Sequence, residues 1–137
     1  MAVRAKELRY AVDLGEAGDV RTEDGTPLVP QPEWSPEHLL LAGLVRCSLK
    51  SLRYHAQRQG LEISTARGSA KTLITKRAGD GRYAMVETEV ELDVCLEPQP
   101  GRDELAQLLA KAERDCFLGA SLTAPPVYRW LVDGMPQ

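Results

Sequence analysis

The stretch Ser35–Gly60, SPEHLLLAGLVRCSLKSLRYHAQRQG, reads as one long helix, and the rest of the chain has to be arranged around it. Ser35 is a good N-cap, and Pro36 suits the first helical position, where its missing N–H costs no hydrogen bond. Glu37 places negative charge at the positive end of the helix dipole, and Gly60 is a natural C-terminal stop. From Leu39 to Val45 every residue is apolar or glycine, so this half has no solvent face and is expected to be buried on several sides. Beyond Cys47 the pattern becomes amphipathic, with Lys50, Arg53, Gln57, Arg58 and Gln59 set against Leu49, Leu52 and Ala56. A cysteine therefore sits where the helix passes from full to half burial.

Either side of this helix the character is β. Residues 7–14 (ELRYAVDL) alternate, with Leu8, Tyr10, Val12 and Leu14 on one face. The turn GEAGD, a second strand over Asp19–Glu23 and the hairpin signal Asp24-Gly25 follow, with a short strand around Pro27–Val29. PQPEW is irregular, and Trp34 is expected to pack down as an anchor. After the helix, residues 61–77 are rich in Ile, Thr, Ser and Leu, although Gly68 weakens their middle, and AGDGR at 78–82 is a turn by composition. The clearest strand follows. Val86, Thr88, Val90, Leu92, Val94 and Leu96 point one way, and Glu87, Glu89, Glu91, Asp93, Cys95 and Glu97 the other. Such alternation marks a sheet with one wet face, the antiparallel case, and puts Cys95 on the acidic, exposed side.

PQPG at 98–101 breaks the chain before a second helix. There Leu105, Leu108, Leu109, Ala112 and Cys116 recur at i, i+3, i+4, i+7 and i+11 as one apolar stripe. Cys116 thus lies in line with the core-facing side, at the helix end. A further short helical turn closes at Pro125-Pro126, and Val127–Val132 (VYRWLV) is a last strand. The order of strands, long helix, strand pair, helix and strand gives an α+β fold with helices segregated against antiparallel sheet, in a single domain spanning 1–137.

The formal charge of −3 over 137 residues argues against a nucleic-acid or anionic-membrane partner. No apolar run approaches the roughly 20 residues needed to span a bilayer, and MAVRAKELRY lacks the apolar core of a secretory signal. The expectation is a cytoplasmic protein without structural disulfides. None of the three cysteines forms a C-x-x-C pair, and with two histidines a metal site is not expected.

Free cysteine is among the most buried residue types, so either helical cysteine alone reads as packing. Two independent helices that each aim a thiol inward suggest chemistry. His38 and His55 read as helix-surface residues, Tyr54 and Trp130 as core or interface aromatics, and Cys95, with no positive neighbour, as an adventitious surface thiol.

SPEHLLLAGLVRC resembles the signature of the OsmC/Ohr family, in which a Pro-Glu pair opens the central helix and a cysteine follows ten residues after the glutamate, as Cys47 follows Glu37. The family's second mark is a C-P-x-S-x-x-L pattern at the end of the later helix. Cys116 and Leu122 match its first and last positions, while Phe117 and Gly119 depart from its proline and serine.

The resemblance implies an OsmC-like fold and an intertwined homodimer. It also implies a thiol-dependent peroxidase that reduces organic hydroperoxides, or hydrogen peroxide, without a cofactor. Cys47 would be the peroxidatic thiol, Cys116 the resolving one and Glu37 the site acid, with a thiol or dithiol reductant resetting the pair. The family's activating arginine lies in the loop between the first two strands. The matching loop here, Gly15–Gly18, has none, and Arg9 and Arg21 are the nearest substitutes. That absence leaves an alternative on the same fold: a non-catalytic binding protein for a small apolar ligand at the dimer interface. A cysteine hydrolase or acyltransferase would need a histidine base beside the thiol, and His55 lies about 12 Å along the helix from Cys47.

Overall fold

The computed structural model describes residues 4–137, in two compact units, Met1–Pro36 and Glu37–Gln137. The first is a meander of three short strands, β1 (Val12–Leu14), β2 (Val20–Thr22) and β3 (Pro27–Leu28), paired antiparallel in that order. The expected strand over 7–14 shrinks to its last three residues. Its partner β2 ends the ladder at Val12↔Thr22, so the chain before Val12 has no strand to pair with, and the Ala11 N–H donates instead to the Glu23 side chain. Both hairpins follow from their glycines: Gly18 and Gly25 take φ of 87° and 90°, which a side chain would resist. No described residue of this unit is buried; Tyr10, Val12, Leu14 and Val29 are each more than 70% exposed. Trp34 is half exposed rather than fully packed down.

The second unit opens with α1 (Pro36–Arg58) and continues through β4 (Glu62–Lys76), β5 (Tyr83–Glu97), α2 (Arg102–Arg114), α3 (Phe117–Ser121), β6 (Val127–Val132) and β7 (Met135–Pro136). Gly60, with φ of 74°, closes α1. The Gly60 N–H reaches the Gln57 carbonyl and the Leu61 N–H the Ala56 carbonyl, the doubled bond of a Schellman cap.

The sheet runs β4-β5-β6-β7. β4 and β5 form a long antiparallel ladder, while β6 joins β5 in parallel, Leu92 opposite Trp130. This parallel pairing qualifies the all-antiparallel expectation, while β7, a strand the sequence reading lacked, folds back antiparallel on β6 through Asp133 and Gly134, both at positive φ. Gly68 does not interrupt β4. A Cβ there would lie 2.7 Å from Leu92 Cδ2, 2.9 Å from the Glu91 carbonyl and 3.1 Å from Val45 Cγ1, so the glycine is what lets α1 lie close on the sheet.

The alternation in β5 holds. Thr88, Val90, Leu92, Val94 and Leu96 are buried, joined by Trp130 and Val132 of β6. Leu44, Leu52 and Ala56 of α1 and Leu108, Leu109 and Ala112 of α2 share this one core. Removing a leucine such as Leu52 would cost about 2–5 kcal/mol. On the wet face Arg67, Lys71 and Arg129 pair with Asp93 and Glu89, so the acidic run is partly neutralised from the neighbouring strands. Cys95 on this face is half-buried rather than exposed. The apolar first half of α1 is only partly covered, and Leu40 remains 39% exposed.

Candidate functional site

The buried stripe of α1 is not purely apolar. It runs Leu44, Ser48, Ser51, Leu52, His55, Ala56, so three polar side chains face inward and each must find a partner. Ser51 Oγ donates to the Ala112 carbonyl at 2.8 Å, satisfying one of the carbonyls left open at the end of α2. His55 Nε2 lies 2.7 Å from Asp115 Oδ2, which corrects its expected surface position: its ring is buried because its partner follows α2. Ser48 turns to Cys116.

Cys116 does not continue α2 but stands just after it as the N-cap of α3, fully buried, with its sulfur accepting the Gly119 N–H at 3.5 Å. Ser48 Oγ is 3.6 Å from that sulfur, 2.8 Å from the Leu44 carbonyl and 3.2 Å from the Tyr128 hydroxyl. Tyr128 reaches in from β6 and stacks on Trp130, whose Nε1 donates to Glu113 at 3.3 Å. A Cβ on Gly119 would lie 3.1 Å from the Tyr128 hydroxyl, so only glycine leaves it full room. In this chain the family pattern's serine is absent, and hydroxyls from α1 and β6 surround the sulfur instead.

Cys47, one residue before Ser48, is half-buried like Cys95, whereas Cys116 is buried, and all three are free thiols. Burial pushes the Cys47 thiol up. The Leu118 backbone N–H opposes this, the neighbouring Cys116 adds to it, and the balance leaves the thiol above its ordinary value. At Cys116 burial also pushes up, but the Gly119 N–H, the Ser48 and Tyr128 hydroxyls and the Cys47 thiol outweigh it, leaving this thiol below its ordinary value. Burial raises the Tyr128 phenol, which stays a proton donor. The two sulfurs thus act on each other's ionisation, one half-open and one sealed.

Phe117, at 59% exposure, and Leu118, at 40%, stand beside this pair as exposed apolar surface. Leu118 seats against Gly43, where a Cβ would approach its Cδ1 to 3.3 Å.

Glu37 lies exposed in the first turn of α1 and makes no side-chain ion pair among the described residues. Ten residues of helix put it about 15 Å from Cys47. Arg9 pairs with Glu7 at 2.8 Å, and Arg21 with Asp19 at 3.0 Å, both on exposed surface. The sequence reading singled out both thiols but not Ser48 or Tyr128, whose hydroxyls lie beside Cys116 in the structure. The signal was available for Ser48, since a serine on a buried stripe needs a hydrogen-bonding partner.

The family model described as OsmC-like protein matches residues 29–130. No sequence match was found among curated proteins. Among solved structures, an OsmC-like protein from Vibrio cholerae is 15% identical with a TM-score of 0.75, covering 91% of this chain and all of that one. An OsmC-like protein from Mycoplasma pneumoniae is 14% identical with a TM-score of 0.69, covering 94% and 99%. The organic hydroperoxide resistance protein OhrB of Bacillus subtilis is 20% identical with a TM-score of 0.55, covering 91% and 96%. At these identities the likeness to solved structures establishes the fold.

Proposed function

The chain belongs to the OsmC-like family, and from that premise we propose that it is a thiol-dependent peroxidase acting on organic hydroperoxides. The observation that carries the reading is the meeting of two free thiols from separate elements, Cys47 half-open and Cys116 sealed behind it. Peroxide reaches Cys47, which attacks the O–O bond and becomes a sulfenic acid. Cys116 condenses with it to a disulfide, and an external thiol or dithiol restores the pair. Phe117 and Leu118 beside the pair suit an apolar R group rather than hydrogen peroxide alone. Structural neighbours from Bacillus subtilis, Legionella pneumophila and Elizabethkingia anophelis are described as organic hydroperoxide resistance proteins, which agrees with that substrate class. Glu37 acts only through an intervening cation, given its distance along α1.

The working form is a homodimer. An N-terminal unit in which no described residue is buried, together with the exposed Leu40, has more apolar surface than the chain itself covers, and a second copy supplies the cover.

The test is to count free thiols and measure intact mass before and after one equivalent of cumene hydroperoxide. Loss of two thiols with a fall of about 2 Da, mapped to Cys47 and Cys116, is expected. Survival of both thiols, or reaction at Cys95 alone, would overturn the peroxidase reading in favour of an apolar-ligand binding protein.

A further inference from the structure

A sulfur sealed from water has to exchange its proton through its neighbours. Cys116 has no exposure to solvent, yet any role for it as a nucleophile requires the thiolate. Its Sγ lies 3.6 Å from Ser48 Oγ, and Ser48 Oγ lies 3.2 Å from the Tyr128 hydroxyl, so three protic groups from three elements stand in a row. The far end of the row meets a surface groove of about 410 Å³, whose wall includes Glu113, Arg114, Gly119, Leu122, Pro126 and Tyr128. Gly119 marks the junction. The point where its Cβ would stand is 3.1 Å from the Tyr128 hydroxyl, 3.5 Å from the Cys116 sulfur and 3.5 Å from Pro126 Cγ. A side chain there would fill the gap that glycine leaves open.

Resting on the peroxidase reading above, we infer that Ser48 and Tyr128 carry the Cys116 thiol proton out to water in this groove. Ser48 is able to switch because its present bond is expendable. Its Oγ donates to the Leu44 carbonyl at 2.8 Å, but that carbonyl already receives the Ser48 N–H within α1, so nothing is orphaned when the hydroxyl turns away. Once the sulfur is ionised, the Gly119 N–H at 3.5 Å and the Ser48 hydroxyl at 3.6 Å are both placed to donate to it. Burial alone would push this thiol up, and those donors, with the Tyr128 hydroxyl, bring it below its ordinary value. The other titratable or charged groups around the path are Cys47 on α1 and, on α2, Glu113 and Arg114. Asp115, just before Cys116, is engaged by His55 and Arg114.

The proton moves as a relay. Cys116 S–H passes its proton to Ser48 Oγ, Ser48 passes its own to the Tyr128 oxygen, and Tyr128 releases its own to water. Both hydroxyls end as they began, and the net change is Cys116–SH to Cys116–S⁻ with one proton in the groove. The thiolate then attacks the sulfur of Cys47–SOH, forming the S–S bond and expelling hydroxide, which a proton from solvent converts to water. The Cys116 sulfur is oxidised as the sulfenic sulfur is reduced, so no further oxidant enters.

The measurement is the ultraviolet absorbance of the thiolate against pH in the Cys47→Ser/Cys95→Ser protein, in which Cys116 is the one cysteine left. Tyr128→Phe and Ser48→Ala are compared in that background, and Tyr128→Phe keeps the ring that stacks on Trp130. Each is expected to raise the midpoint, leaving about tenfold less thiolate below it, with the high-pH plateau unchanged. With the native cysteines present, the same two substitutions are expected to slow disulfide formation after a pulse of cumene hydroperoxide, so that dimedone traps more Cys47 sulfenic acid. Unchanged midpoints in both variants would overturn the relay and leave the peroxidase reading standing. A midpoint raised by Ser48→Ala but not by Tyr128→Phe would overturn the exit through Tyr128. A wild type inert to hydroperoxide, with both midpoints still raised, would overturn the peroxidase reading and keep the relay.

Discussion

His55 Nε2 lies 2.7 Å from Asp115 Oδ2, tying the last turn of α1 to the residue that precedes Cys116. Arg114 forks onto the same carboxylate with two contacts of 2.9 Å. First Arg114 and then His55 hold the Asp115 carboxyl down to about 2. A depressed carboxylate contributes stability above its unfolded value near 3.9, and loses it as the pH falls toward 2. Asp115→Asn is therefore expected to lower Tm at pH 6, with the deficit shrinking between pH 4 and pH 2. His55→Ala also empties a buried ring site and is expected to cost about 1–3 kcal/mol. A Tm deficit in Asp115→Asn that is the same at pH 6 and pH 2 would show that the ionised pair contributes nothing.

Gly68 is expected to be intolerant of any side chain. A Cβ there meets the Glu91 backbone at 2.9 Å, which cannot rotate away, so Gly68→Ala should cost about 1–3 kcal/mol in chemical denaturation. Gly79 has nothing within 4 Å of its own Cβ position, and Gly79→Ala should stay within about 0.5 kcal/mol of wild type. Equal stabilities for the two variants would contradict the close seating of α1 on β4.

Gly119→Ala probes spacing at the thiol pair. The added methyl would sit 3.1 Å from the Tyr128 hydroxyl and 3.5 Å from the Cys116 sulfur, displacing the hydroxyl without opening the core. Disulfide formation after a peroxide pulse should slow by about tenfold or more with the fold retained. A wild-type rate would mean that the Tyr128 position is immaterial.

The cysteines should separate cleanly by role. Cys47→Ser should abolish peroxide consumption, and Cys95→Ser should leave it unchanged. In Cys116→Ser the unresolved Cys47 should overoxidise, gaining about 32 Da under excess peroxide. Turnover that survives in Cys47→Ser would remove the assignment of the attacking sulfur.

Sedimentation at micromolar concentration should give twice the 15.1 kDa chain mass. Amide exchange in β1–β3 should slow as protein concentration rises, since no described side chain of that unit is buried within one chain. A single-chain mass would contradict the homodimer.

The elements that periodicity governs were legible. The long helix, the alternation of β5 and the stripe of α2 each carry their repeat over many residues, so one misleading residue does not hide them. The alternation in residues 7–14 is equally regular, yet most of it forms no strand, because a strand needs a partner and β2 is three residues long. The parallel pairing of β6 was hidden for a related reason: the residues of a strand do not encode the direction of its neighbour. β7 was within reach, since Asp133-Gly134 repeats the Asp-Gly signal at 24–25. Near Cys47 and Cys116, helical spacing gave the inward direction of both thiols, although Cys116 stands beyond the end of α2 rather than on it. His55 was misplaced because a histidine on a helix looks like surface until its partner, distant in sequence, is known. Tyr128 was missed because a single tyrosine in a short apolar strand reads as packing.

Tyr128 belongs to β6, near the C-terminal end of the chain, and β6 joins the sheet by a parallel pairing with β5. Strand pairings between segments far apart in sequence form late, after the intervening loop entropy has been overcome. A chain emerging during synthesis therefore contains both sulfurs well before the phenol that surrounds one of them has docked. Until then Cys116 lacks one of its hydrogen-bonding neighbours and behaves more nearly as an ordinary thiol. The lowering of the Cys116 thiol is thus tied to completion of the fold, since one of its hydroxyl neighbours arrives only with β6.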